Sequence, residues 1–188
     1  VISHLQQEKN IDSTVGFFFF DYRDPGKQTT KKAFETILAQ MARQDSAILS
    51  YLEKKTQVYR DTKSTCNLRS LYGMFLECLS VSNRKVTVLI DALDECRERP
   101  VLLQALEEIL TKRAKARVFL TSRKEFDIEK ALSSLPQIHL DGNNMAADIK
   151  SFVESQVSSL IRDRKIRIRD PVLGREIQEA LCAKADGM

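Results

Sequence analysis

The 188 residues carry 43% hydrophobic and 30% charged side chains, with a formal net charge of +4. That is the balance of a soluble globular protein, long enough for one domain with a core, or for one domain and part of another. No apolar stretch reaches transmembrane length, and so mild a positive charge gives no ground for nucleic acid as a partner. Cys66, Cys78, Cys96 and Cys182 form no C-x-x-C pair, so there is no zinc motif, and a reducing, cytoplasmic setting is the simpler expectation. Residues 1–10 do not have the form of a signal peptide. With no initiator Met, the chain reads as a piece of something longer.

Residues 1–9 place Val1, Ile2 and Leu5 at helical spacing, as at the end of a helix, which Asn10, Asp12 and Ser13 break. Residues 15–20 contain four consecutive phenylalanines and predict a central strand buried on both faces. Pro25-Gly26 marks a turn, and Thr30 is placed to cap the next helix. That helix carries Phe34, Ile37, Leu38 and Met41 at i, i+3, i+4 and i+7. Asp45 or Ser46 starts another, residues 61–65 form a loop, and Leu68, Leu71, Tyr72, Phe75 and Leu79 give a third helical stripe. Residues 86–90, Val-Thr-Val-Leu-Ile, are apolar without alternation, as in a parallel strand covered on both sides. Pro100 suits the first turn of a helix whose buried face is Leu103, Leu106, Ile109 and Leu110. Residues 117–121 predict a strand, 126–132 a short helix, and 137–140 a last strand. Residues 141–144 read as a linker, and only helices follow, the first with Ile149, Phe152, Val153, Val157 and Ile161 and the second over 171–183. Alternating helices and strands predict an α/β fold, a parallel sheet with crossover helices over residues 1–143. The start of an all-helical domain follows over 144–188.

The chemistry concentrates after the 86–90 strand, in Asp91-Ala92-Leu93-Asp94-Glu95. In open α/β sheets ligands sit at the carboxyl ends of the strands. A carboxylate there suits Mg²⁺, which takes few protein ligands and shares its shell with water and phosphate oxygens. Asp91 is the expected metal ligand, and Asp94 and Glu95 are the carboxylates placed to polarise an attacking water. Thr121-Ser122-Arg123 ends the next strand and brings two hydroxyls and a permanent, planar cation to the same crevice, as a phosphate requires.

Other candidates are weaker. Gly26-Lys27 fails the phosphate-loop pattern G-x-x-x-x-G-K-[ST], because Asp21 stands at the first glycine and Gln28 follows the lysine. The run from Arg162 to Arg169 lacks interleaved aromatics and reads as a solvated helix end or a partner-facing loop. His4 and His139 are isolated. Cys96 abuts carboxylates that raise a thiol pKa, which argues against a nucleophile.

The block Val88-Leu89-Ile90-Asp91-Ala92-Leu93-Asp94-Glu95-Cys96 resembles the Walker B segment of NACHT-type P-loop NTPases in the STAND class of signalling ATPases. Val118-Phe119-Leu120-Thr121-Ser122-Arg123 is similar to their sensor strand. Gly16 to Arg23, followed by a helix with Ala39-Gln40-Met41, resembles their second strand and next helix. Ala147 to Val153 resembles the entry to their helical domain. The closest subgroup is the nephrocystin-like N-terminal domain, abundant in large multidomain proteins of filamentous fungi. The phosphate-binding loop and first strand of the family have no counterpart in these residues.

The resemblance implies an NLR-like signalling switch that binds Mg²⁺ with ATP or GTP and hydrolyses slowly. Asp91 would bind Mg²⁺, Asp94 and Glu95 would position water, and Arg123, beside Thr121 and Ser122, would sense the terminal phosphate. Nucleotide binding is expected only with an upstream phosphate-binding loop. Partners are expected through flanking effector and repeat domains, and a homo-oligomer of the parent protein fits the class. Two alternatives stay open: a degenerate core serving as a protein-interaction scaffold, and a metal-dependent phosphoesterase or nuclease built on Asp91, Asp94 and Glu95.

Overall fold

The computed structural model describes residues 13–112, 116–140, 142–168 and 170–185. The expected helix end at 1–9 lies outside them. Three strands, β1 (Ser13–Phe19), β2 (Lys85–Asp91) and β3 (Ala116–Leu120), form one parallel sheet in that spatial order. The register sets Phe18 beside Ile90 and Ile90 beside Leu120. The chain is therefore an α/β protein with a parallel sheet and crossover helices, followed by further helices.

Central β2 buries Val86, Val88 and Ile90 on one face, at 1% to 3% exposure, and Thr87 on the other, at 7%, where Leu89 is only half-buried. β1 departs from expectation. Among the described residues it is an edge strand, and its phenylalanines divide by parity. Phe18 and Phe20 are buried with their rings 4.9 Å apart, whereas Phe19 on the other face is 44% exposed.

Among the described residues five helices belong with the sheet: α1 (Thr30–Gln44), α2 (Ser46–Asp61), α3 (Leu68–Val81), α4 (Arg99–Lys112) and α5 (Phe126–Ala131). Both crossovers step the same way across the sheet, which sends their helices to one face. There α1 lies on β1 and also packs against α2, α3 and α4. Its stripe of Phe34, Ile37, Leu38 and Met41 is fully buried, and Phe34 meets Phe75 of α3 at 5.3 Å between rings. Gly16 permits this approach, since a Cβ there would stand 2.6 Å from Ile37 Cγ2. The α1 cap is Thr29, which accepts from Lys32 N (3.3 Å). Thr30, the expected cap, is instead buried and donates to the Glu98 carbonyl (3.3 Å). Asp45 caps α2 through Ala47 N and also accepts from the buried Ser82 hydroxyl (2.7 Å), which ties α2 to the turn before β2.

The expected strand at 137–140 is absent from the sheet: these residues form no ladder, and Ile138 and Leu140 are largely exposed. Pro136 removes one donor at its start, and three apolar-polar alternations make too short a pattern to specify a place in a sheet. The expected linker at 141–144 is also shorter than read, because the helix begins at Gly142.

The chain divides into two compact units, Val1–Ser134 and Leu135–Met188. In the second, α6 (Gly142–Arg162) packs against α7 (Pro171–Ala185). Arg164, at a left-handed φ of 57°, ends α6, and Lys165 N donates back to the Leu160 carbonyl (2.9 Å). Part of the 162–169 basic run is thus a solvated helix end. Among the described residues no helix is long and apolar enough to cross a membrane.

Candidate functional site

Parallel pairing of sequential strands sets the carboxyl ends of β1, β2 and β3 side by side. The 91–95 and 121–123 segments meet there, as their order in the sequence requires. Thr121 is the rivet. Its N–H donates to the Ile90 carbonyl (3.0 Å) and its carbonyl accepts from Leu93 N (2.9 Å). Its hydroxyl accepts from Ala92 N (3.1 Å) and donates to Asp91 Oδ1. Between these bonds Ala92 is held at φ 54°, a left-handed conformation that costs an L-residue roughly 1–2 kcal/mol. Buried Leu93 then opens a single 3-10 turn, Leu93–Glu95, which carries Asp94 and Glu95.

The three carboxylates diverge. Asp91 is exposed and bound by Thr121. Asp94 turns back to β3: its Oδ1 accepts from Arg123 N (3.0 Å) and lies 3.5 Å from the Ser122 hydroxyl. The Arg123 guanidinium stands 3.8 Å from Asp94 Oδ2, its side chain 79% exposed against 9% for the aspartate. Glu95 reaches the other way and accepts from Tyr22 N (2.8 Å), just past β1. The acidic cluster therefore clasps the ends of all three strands. Among the described residues no three His, Cys, Asp or Glu side chains converge as a metal cage.

An open cleft of about 560 Å³ borders this clasp, lined by Asp94, Glu95, Arg97, Arg99, Arg123 and Gln28 among others. Gln28 and Arg99 carry no motif, and the sequence reading missed both. Gln28 is 1% exposed; its amide donates to the Asp21 and Tyr22 carbonyls, and its own carbonyl accepts from Arg97 N (2.9 Å). Its Oε1 has no partner among the described residues. Arg99 joins the Asp94 carbonyl (3.0 Å) to the Asp127 carboxylate (3.1 Å). A lone Gln before a cap and an Arg before a Pro give no sequence signal of such roles.

Of the weaker candidates, the Gly26-Lys27 turn falls as read. Pro25–Lys27 is one 3-10 turn in which Asp24 accepts from Gly26 N (2.9 Å). His139 is exposed, and His4 lies outside the described residues. Cys96 is buried with its sulfur 3.6 Å from the Thr30 hydroxyl, and burial above all pushes its thiol pKa up, so it stays protonated near neutrality.

The family model described as Nephrocystin 3, N-terminal, matches residues 1–123. The chain belongs to that family. The match takes in β1, the α1–α4 helices and β3, and it runs to Arg123, so every residue of the clasp lies inside it. No curated protein matches the chain.

Proposed function

We propose that this member of the Nephrocystin 3, N-terminal family carries the Walker B and sensor elements of a NACHT-type STAND switch. Such a switch handles Mg-ATP or Mg-GTP in a larger signalling protein. The observation that carries the reading is the clasp itself: a carboxylate on the last residue of the central parallel strand, riveted to a Thr-Ser-Arg at the end of its neighbour. The residues fit a magnesium ion in kind. Thr121 engages only Oδ1 of Asp91, Oδ2 has no partner among the described residues, and Mg²⁺ needs one or two carboxylates rather than a protein cage. When bound, the ion would neutralise charge on the phosphate oxygens.

The chain's own residues have defined tasks in this reading. Thr121 orients Asp91. Arg123, held loosely at 3.8 Å, can exchange Asp94 Oδ2 for a terminal phosphate. That exchange frees one oxygen of Asp94 to orient water, which couples phosphate sensing to the carboxylate. Glu95 reports on the loop after β1 through Tyr22. No G-x-x-x-x-G-K-[ST] occurs in the 188 residues, so the phosphate loop must come from elsewhere in the protein. Four free thiols support a reducing, cytoplasmic setting.

A second reading, a degenerate core serving as a scaffold, is favoured by one fact: all three carboxylates already have protein partners. The phosphoesterase alternative gains no comparable support, since no third ligand joins any pair among the described residues.

Two titrations test the reading. In the full-length protein, Asp91→Ala should weaken Mg²⁺-nucleotide binding at least about tenfold with an unchanged melting curve. Equal affinity in variant and wild type would remove Asp91 from the site, and no nucleotide binding by the full-length wild type would favour the scaffold. The 188-residue chain alone should bind Mg-ATP and Mg-GTP more weakly than micromolar, because it lacks the loop's backbone donors and lysine.

A further inference from the structure

An edge strand presents unpaired N–H and C=O groups, a template for pairing with another chain. In β1 the outward groups can be named. Phe20 N donates inward to the Asp91 carbonyl (3.1 Å), so by alternation Phe18 and Gly16 face β2, while Val15, Phe17 and Phe19 face away from it. The outward groups of Val15 and Phe17 are nevertheless engaged. Val15 N donates to Gln44 Oε1 (2.9 Å), and Gln44 Nε2 donates to the Val15 carbonyl (2.6 Å). Phe17 N donates to Gln40 Oε1 (2.7 Å).

The match is geometric. Gln40 and Gln44 sit one turn apart on α1, a rise of about 6 Å. Val15 and Phe17 sit two residues apart on a strand, about 6.6 Å. One amide therefore meets each outward-facing residue. Gln44 offers Val15 both an acceptor and a donor, the pair a neighbouring peptide strand would offer. Its Nε2 also donates to the Gln40 carbonyl (2.9 Å), which fixes the amide to its own helix. Gly16 lets α1 come close enough, as Ile37 shows.

We propose that α1 is a built-in strap: Gln40 and Gln44 act as a surrogate strand that closes the β1 edge to strand addition by a second copy of this chain. The device is independent of the nucleotide reading. It blocks an edge that would otherwise expose a phenylalanine-rich strand, and it ends at Phe17, short of the exposed Phe19.

Residue-resolved hydrogen exchange on the chain, with sedimentation velocity, tests this. The variants are Gln40→Met, Gln44→Met and the double variant, which keep the stem and helix propensity and remove only the amides. In wild type the Val15 and Phe17 amides should exchange at least about a hundredfold slower than free amides. Gln40→Met should release Phe17 alone. The double variant should release both while Gly16 and Phe18 stay protected, and it should dimerise at concentrations where wild type does not. If the double variant fails to fold, the single Gln40→Met variant decides by the Phe17 amide alone. Fast exchange of Val15 and Phe17 in wild type would overturn the proposal. So would protection that survives loss of the amides, or a double variant that loses protection yet gains no self-association.

Discussion

β1 and β2 are both seven residues long, both rich in apolar side chains, and paired along their whole length. They nonetheless occupy opposite kinds of place. β2 is central, hydrogen-bonded to a neighbour along each edge, and its second face opens from buried Thr87 through half-buried Leu89 to exposed Asp91. β1 is an edge strand among the described residues, and its second face opens in the same order, from Val15 through Phe17 to Phe19, so the two strands differ in neighbours and not in burial. Apolarity thus reports how much a strand can bury, not which neighbours it has. In β1 the missing neighbour is replaced by a helix, through Gln40 and Gln44 along the edge, while Ile37 and Met41 pack over Gly16 on the covered face.

The largest effect should come from a charge in β2. Ile90→Asp buries a carboxylate at a site 3% exposed, a loss of about 4 kcal/mol or more against a typical total of 5–15. The expected result is no cooperative melting transition. The same change in β1 should divide by parity. Phe18→Asp, at 6% exposure, should also abolish folding, whereas Phe19→Asp, at 44%, should leave a folded protein with only a modestly lower Tm. Equal damage from both would mean that the second face of β1 is covered after all.

This division shows what was legible. The Phe run announces a strand, but four identical side chains contain no alternation from which to read a face. The partners that close its edge lie 23 and 29 residues away, in a helix whose stripe is read from its apolar members and not from its glutamines. β2 was legible because Val86 to Ile90 leads into acidic residues that mark its carboxyl end. The site was legible in part for the same reason. Sequential parallel strands bring 91–95 beside 121–123, so their adjacency follows from chain order. The bonding does not: Glu95 accepts from Tyr22, 73 residues away, and Asp94 from Arg123, 29 away. The strand expected at 137–140 failed because a pattern of alternation carries no information about whether a partner exists.

A middle-sized effect tests the closeness of α1 to β1. Gly16→Ala forces a methyl to within 2.6 Å of Ile37 Cγ2, an overpacking worth about 1–3 kcal/mol. Ile37→Ala alone opens a cavity and costs about 2–5 kcal/mol. The pair should be less destabilised than the sum, because the new methyl occupies part of the space the isoleucine vacates. A strictly additive double-mutant cycle in urea would show that α1 shifts away from the strand instead of resisting it.

The smallest expected effect is at Thr121, and it bears most directly on the site. Thr121→Val keeps shape and β-propensity but removes the hydroxyl that accepts from Ala92 N and donates to Asp91 Oδ1. Both bonds are solvent-exposed, so water replaces most of what is lost, and stability should fall by no more than about 1 kcal/mol. The backbone bonds of Thr121 to Ile90 and Leu93 survive the change, so β3 stays in register. What should change is local: without its anchor, Ala92 has less to hold it at a positive φ, and the turn carrying Asp94 and Glu95 loosens. Amide exchange at Ala92 should accelerate, and the Thr121→Ser variant, which restores the hydroxyl, should return it to the wild-type rate. If valine leaves the exchange of Ala92 unchanged, the backbone alone sets that turn, and the threonine side chain is free to serve a ligand instead.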